Sequence, residues 1–574
     1  MDDMTVDRYW AHTQRRFGRR EVLRAGAAGA SGLMGAALIG CSGGKKAAPT
    51  PGTGASTANS ARPAVKRGGH VRFPYAETAT QWDPYRVPNG NLYYYGMISD
   101  RLIGVHPQSL ALEGRLIESW ETVKSGSEYV LHVRKGMNWE NKAPTNGRPF
   151  DAEDLVHNIK YAAGITGPQN TPTARSSWYF GISSVTAVDT NTVSLKLSKP
   201  NAAILSAMSD MRQSVLPREI PDKMPFTDYT KFPSIGAFVV KEYRDGETAQ
   251  YTRNPQFWVQ GRPYIDSAEI KWFSDPAASN AAILADQLDM KSVPSSQERS
   301  QLTGAKGVKI LTWDSRSVYL MFINAKKFPD PRLWKAIHLI HNYKRNADAL
   351  YGEDVWNYTG PLNQALLGST PSAEIAKRPG WNPATKDADI AEGKKLFAAM
   401  GFADGAGFNF VMETVTPQGT PYFNQAIRLQ GDLQAALPKI KFEVKGLERT
   451  AGTASLAKKE YDGISFLIVD GTDSRIAVLD MKTGGPRNWS NYSNPKVDEL
   501  IDKTFAQSDK DMIETLAQIE KIFLEEGHPQ IRSANSRDQM AIRDRIQGME
   551  ERGGRGGASA GNMMATELRH IWLA

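Results

Sequence analysis

The sequence predicts an α/β protein with more than one hydrophobic core. Three observations carry that prediction. The chain has 574 residues, more than a single core holds before chains divide into domains. Tyr129, Leu131 and Val133 alternate with Val130, His132 and Arg134. This is the period-2 pattern of a strand with one buried face, and a capped helix follows it. Further on, alternating strands at Phe408 to Met412 and Ile440 to Val444 flank a helical stretch from Tyr422 to Leu437. That β-α-β order implies a right-handed crossover and a partly parallel sheet.

The N-terminus reads as a targeting segment. Gly18-Arg19-Arg20-Glu21-Val22-Leu23-Arg24 resembles a twin-arginine export motif. Ala25 to Gly40 is weakly apolar and shorter than the about 20 residues of a membrane-spanning helix. The basic residues before it predict that this end starts in the cytoplasm. Leu38-Ile39-Gly40-Cys41 resembles a bacterial lipobox, so residues 1–41 read as a signal peptide ending at a cysteine that is acylated. Acyl chains on Cys41 would hold the protein on a membrane. Residues 42–67 are Gly, Ala, Pro, Thr and Ser with almost no large apolar side chain, a flexible tether. Cys41 is the one cysteine, which excludes an intrachain disulfide and a cysteine metal cluster. The net charge of +8 is mild, and no basic run carries interleaved aromatics, which argues against nucleic acid as a partner.

The fold proper starts near Gly68, with a strand from Gly69 to Pro74. Asn91 to Tyr95 opens a helix bearing three tyrosines. Ser125-Gly126-Ser127 is a turn, and Asn138 to Pro149 is a polar loop containing Pro144 and Gly147. Asp151 caps a helix, with Asp154 in a box-like position and Leu155, Val156 and Ile159 on the apolar face. Ser183 to Val188 and Thr192 to Leu197 form a hairpin about Asp189-Thr190-Asn191. Ala282 to Asp289 is read as helix, and Val318 to Asn324 as a buried strand. Asp330-Pro331 caps a helix carrying Leu333, Ile337, Ile340 and Tyr343 at helical spacing. Asp462 to Val469 is a strand, Gly548 to Gly561 a Gly-rich loop, and Leu568 to Leu573 a closing strand.

Several of these blocks resemble the extracellular solute-binding proteins of the peptide/nickel type, family 5, which serve ABC importers. Leu116-Ile-Glu-Ser-Trp-Glu121, His132-Val-Arg-Lys-Gly-Met137 and Phe150-Asp-Ala-Glu-Asp-Leu155 stand in the family's order and spacing. Ser234 to Tyr243, Tyr251 to Trp258 with Gly261-Arg-Pro263, and Asn491 to Asp498 match further blocks. Asp286 stands where the family commonly has Gly. The resemblance implies a two-lobed periplasmic-binding-protein fold with a hinge between the lobes. It places the first lobe at 68–312, with a subdomain near 111–214. The second lobe is then 313–535, and 536–574 returns to the first. A ligand would be enclosed between the lobes and handed to a membrane permease.

No catalytic motif appears: no G-x-S-x-G, P-loop, H-E-x-x-H or dinucleotide fingerprint. His338 and His341 lie three apart without an evident third metal ligand. Asp151, Glu153 and Asp154 sit at a helix start, where carboxylates complement the helix dipole. No metal, cofactor or enzymatic activity is therefore expected. Aromatics beside predicted loops suit a cleft that grips a varied ligand. Trp82, Tyr85, Tyr94, Trp313 and Trp489 are the candidates, with Tyr93, Trp139 and Tyr492 in the same class. The family's peptide binders neutralise the ligand's α-amino group with an Asp beyond the strand matching Ile464 to Val469. The resemblance points there to Asp473, then Asp470, with Arg475 beside them, although the family's preceding Trp is absent.

The expectation is a monomeric, envelope-anchored lipoprotein on the outer face of a membrane. It would capture a peptide or similar organic solute for an ABC permease. The alternatives are a sensor or chaperone-like binder on the same fold, and a tethered hydrolase.

Overall fold

Side chains that alternate between buried and open make Glu128–Val133 a strand, with Tyr129, Leu131 and Val133 all facing the core. The computed structural model describes residues 65–75, 82–85, 92–106, 109–166, 173, 175–210, 213–220, 228–353, 355–416, 420–469, 473–549, 564 and 567–574. The export motif, Cys41, most of the tether, Asp470 and most of the Gly-rich loop lie outside the described residues.

The first lobe holds two four-stranded sheets. One runs His70–Tyr75, Ser267–Trp272, Thr248–Arg253, Phe238–Arg244, its first pair parallel and the rest antiparallel. The other is antiparallel, in the order Ile117–Val123, Glu128–Val133, Thr192–Leu197, Ile182–Asp189. Helix Ala152–Ala162 covers it with Leu155, Val156 and Ile159. Asp151 accepts from the N–H groups of Glu153 and Asp154 at 3.0 and 3.1 Å, and the Asp154 carboxylate accepts back from Asp151 N–H at 3.4 Å. This is a capping box with aspartate in both roles. Asp154 is fully buried and also accepts from Trp139 Nε1 at 3.2 Å and from both Arg148 Nη atoms at 2.5 and 2.7 Å. The Asp154 carboxylate is thus committed to holding the loop 138–149 in place, while Asp151 pairs with Arg218.

The largest sheet has seven strands. Its order is Met290–Ser292, Gln530–Arg543, Val308–Ile323, Gly463–Val469, Asn409–Val415, Lys441–Leu447, with Trp356–Asn357 also on Gln530–Arg543. The β-α-β expectation holds: helix Pro421–Ala436 connects Asn409–Val415 to a parallel neighbour, Lys441–Leu447.

Four elements differ from expectation. The helix read over Ala282 to Asp289 is Pro276–Leu284, and Asp286 follows it with φ 60°. That left-handed conformation favours glycine, which explains why Asp286 is unusual at its position. Tyr343 does not share a helix with Leu333. Helix Pro331–Ile340 ends at His341, whose backbone is extended, and Asn342 caps a second helix, Tyr343–Tyr351. Leu568 to Leu573 is a turn of 3-10 helix, Leu568–His570, followed by a two-residue strand on Ile546–Gln547. Strand Gln530–Arg543 was not expected at all, because its middle, Arg532 to Gln539, is almost wholly polar.

Candidate functional site

Two long antiparallel strands, Val308–Ile323 and Gln530–Arg543, link the lobes. At one end they pack on Met290–Ser292 beside the first lobe, and at the other on Gly463–Val469 in the second. Between these ends the ladder breaks. Asp314 opposes Arg537, and the next pairing is Val318 with Asn535. Such an irregularity bends a strand and re-aims side chains. Asp314 lies 3.7 Å from Arg537 Nε and accepts from Asn357 Nδ2 at 3.1 Å. Asn535 is buried and donates to Ser315 O at 3.0 Å. Asp314 and Arg537 keep 30% and 39% of their side-chain surface exposed, so the break presents charged groups at the crossing.

Half-buried aromatic rings line the second lobe beside the crossing. Trp356, one of the residues paired to the bent strand, meets Tyr358 edge-on at 4.7 Å. Tyr319 and Tyr422 lie 6.3 Å apart, and Tyr422 stacks on Phe466. At the far rim the lobes touch. Ser206 Oγ donates to Asp473 at 3.1 Å, Ala202 N–H to Phe505 O at 3.0 Å, and Phe180 meets Phe505 edge-on at 4.8 Å. Arg487 lies over the Trp178 ring at 5.5 Å. The bent, polar strand pair thus carries Trp356 and Tyr319 beside its break, while contacts between the lobes are made at Ser206–Asp473 and Phe180–Phe505.

The residues singled out in the sequence fall into three places. Asp473 and Arg475 are together at the rim. Asp473 caps helix Ser474–Leu479 and pairs with Arg475 Nη1 at 3.1 Å. Arg475 also donates to Thr504 O, Gln507 O and Asp509. Burial alone would lower its pKa, but Asp473 and Asp509 outweigh that and hold it above the usual value. Trp489 is half-buried on the second lobe, edge-on to Phe322 with Arg487 over its ring at 4.9 Å. Trp313 is buried on the crossing strand next to Asp314.

Trp82, Tyr85 and Tyr94 are buried in the first lobe, away from the rim pair. Trp82 stacks on Tyr229 at 4.6 Å and meets Tyr94 edge-on at 5.2 Å. Tyr85 OH donates to Asn158 at 2.8 Å, and burial pushes the Tyr85 and Tyr94 phenols up. His338 and His341 have separate partners: His341 Nδ1 meets Asp432 at 2.9 Å and His338 Nδ1 meets Tyr343 OH at 2.6 Å. Among the described residues no group of three metal-ligating side chains occurs. Asp314, Asn535 and Arg537 were missed in the sequence. The signal for them is an uninterrupted polar run, Asn535-Ser-Arg-Asp-Gln539, set between Ile531 and Met540.

A profile of the bacterial extracellular solute-binding proteins, family 5 (middle), matches residues 111–490. The chain belongs to that family. Among family 5 relatives, heme-binding protein A of Haemophilus influenzae is 22% identical over 528 residues, covering 86% of this chain and 92% of its own. The peptide transport periplasmic protein SapA of Salmonella typhimurium is 22% identical over 78% of this chain and 83% of its own. Of solved structures, the oligopeptide-binding protein AppA of Bacillus subtilis, in complex with a nonapeptide, superposes with a TM-score of 0.72 at 18% identity. It covers 89% of this chain and 100% of its own. NikZ of Campylobacter jejuni, in complex with Ni(L-His), gives 0.71 at 15% identity over 88% and 99%. The two-lobed fold is thus the fold of this family.

Proposed function

We propose that this family 5 protein captures a peptide or similar organic solute between its lobes and delivers it, unchanged, to an ABC permease. The observation that carries this reading is the bent, polar crossing of Val308–Ile323 with Gln530–Arg543. Asp314, Asn535 and Arg537 lie together at the break between these two strands. A zwitterionic or hydrogen-bonding solute offers partners for both the carboxylate and the guanidinium. Rim contacts include polar pairs such as Ser206 to Asp473, which can break and re-form as lobes hinge about the crossing. Lipidation at Cys41 after twin-arginine export would keep the binder near its permease.

The test is small-angle X-ray scattering with and without a mixed pool of short peptides. The reading expects the radius of gyration to fall on loading and the fall to vanish in Arg537→Met. An unchanged radius together with no retained peptide would refute it.

A further inference from the structure

The second lobe encloses a cavity of about 410 Å³ between helix Pro331–Ile340, the segment 378–381 and the end of helix Asp509–Glu526. It lies apart from the lobe crossing. Arg532, on its wall, is five positions from Arg537 along one strand, about 16 Å at roughly 3.3 Å per residue.

Its walls are aromatic. Tyr343 stacks on Trp381 at 5.4 Å and 26°, and His338 sits 3.9 Å from Trp381. Phe523 and His528 also line it, their rings 4.2 Å apart. Its charge is mainly cationic. Arg532 is 6% exposed, Arg378 is half-buried and makes no ion pair among the described residues, and Lys335 stands at the rim. The lining's carboxylate, Glu525, is exposed and lies 3.9 Å from Lys521.

Two donors beside the cavity are unsatisfied. Trp381 Nε1 and His528 Nε2 are buried without a hydrogen-bond partner. His528 Nδ1 accepts from Gln530 N–H at 3.2 Å. Burial, with Arg532 adding to it, lowers the pKa of His528 to about 3 and keeps the ring neutral. The remaining proton is therefore on Nε2. A buried donor without an acceptor is destabilising.

We propose that this cavity is a second binding site, separate from the interlobe cleft, for a small planar aromatic carboxylate. The ring would lie among Tyr343, Trp381 and Phe523. The carboxylate would face Arg378 and Arg532. The volume suits one or two fused rings and falls in the range of small-molecule pockets. The proposal does not depend on what the interlobe cleft binds.

The probe is 4-bromobenzoate, added to the processed protein purified from its host. Calorimetry should give saturable binding with a dissociation constant below about 1 mM. Arg378→Met and Trp381→Phe should each weaken it at least fivefold, and Asp314→Asn should leave it unchanged. Arg378 is partly exposed, so its variant keeps the test informative if Trp381→Phe fails to fold. In soaked crystals the bromine should give an anomalous peak in the cavity. No binding up to 10 mM (roughly tenfold above that threshold), affinity unchanged by Arg378→Met, or a bromine peak in the interlobe cleft alone would overturn the proposal.

Discussion

Removing the carboxylate of Asp100 should destabilise the first lobe more than removing any surface acid. Asp100 is fully buried, and its side chain is the junction of four chain segments. Arg115 Nη2 lies 2.7 Å from it, Trp258 Nε1 donates at 2.8 Å, Arg101 N–H donates at 2.7 Å, and Arg569 Nη1 approaches at 3.5 Å. Arg115 and Arg569 are themselves 11% and 7% exposed. Burial acts to raise the Asp100 pKa, but the two guanidiniums outweigh it and hold the carboxyl below its usual range.

In Asp100→Ala the partners stay buried and lose their counter-charge, a change that costs about 3–5 kcal/mol. Glu567, 4.0 Å from Arg569, compensates one of them in part. Asp100→Asn keeps an acceptor for Trp258 but removes the same counter-charge, so it should cost nearly as much as Asp100→Ala. Native stability is on the order of 5–15 kcal/mol, so both shifts are measurable by urea unfolding followed through tryptophan fluorescence. The folded pKa is depressed. The stabilisation is therefore complete above the unfolded value and is lost as pH falls through the folded one. A cost below about 1 kcal/mol for Asp100→Ala, within the range of exposed ion pairs, would refute this assignment of a buried charge junction.

Three further outcomes follow from the same structure. Arg475→Met removes a buried guanidinium bound to Asp473, Asp509 and two backbone carbonyls. It should cost about 3–5 kcal/mol and also weaken solute retention, read by equilibrium dialysis; full retention would separate the rim from binding. His528 and His338 are lowered to about 3 against about 6.5 in the unfolded chain. Below pH 6.5 the unfolded state takes up these protons and the folded state does not, so stability falls with pH by about 1.4 kcal/mol per unit for each ring. His528→Phe should flatten the curve between pH 6.5 and 4.5 by that amount, and an unchanged slope would show that the ring charges in the folded state. Cys41→Ser in the native host should move the protein from the membrane fraction to the soluble fraction; unchanged partition would refute lipidation at Cys41.

Local features were legible in the sequence, and long-range ones were not. The strand Glu128–Val133 and the Asp151 cap are set by residues within a few positions of one another, and both patterns survive into the structure. The parallel pair about Pro421–Ala436 was legible because the crossover rule fixes its geometry. Gln530–Arg543 was illegible because pattern reading takes apolar residues as the mark of a central strand. Its middle is polar, and only pairing with a strand more than 200 positions earlier makes it a strand. Trp82 and Tyr94 were legible as aromatics, but their burial depends on Tyr229 and Trp272, which no local pattern links to them. Asp473 and Arg475 were visible as neighbours, whereas the contact of Asp473 with Ser206 comes only from the meeting of the lobes.

The most direct test of solute capture is native mass spectrometry of the processed protein, purified from its host without added ligand. Capture between the lobes predicts a bound mass, or a ladder of peptide masses, that leaves on denaturation and is absent from Arg537→Met. A bare protein mass, unchanged after incubation with the host's own peptide and metabolite extract, would contradict it.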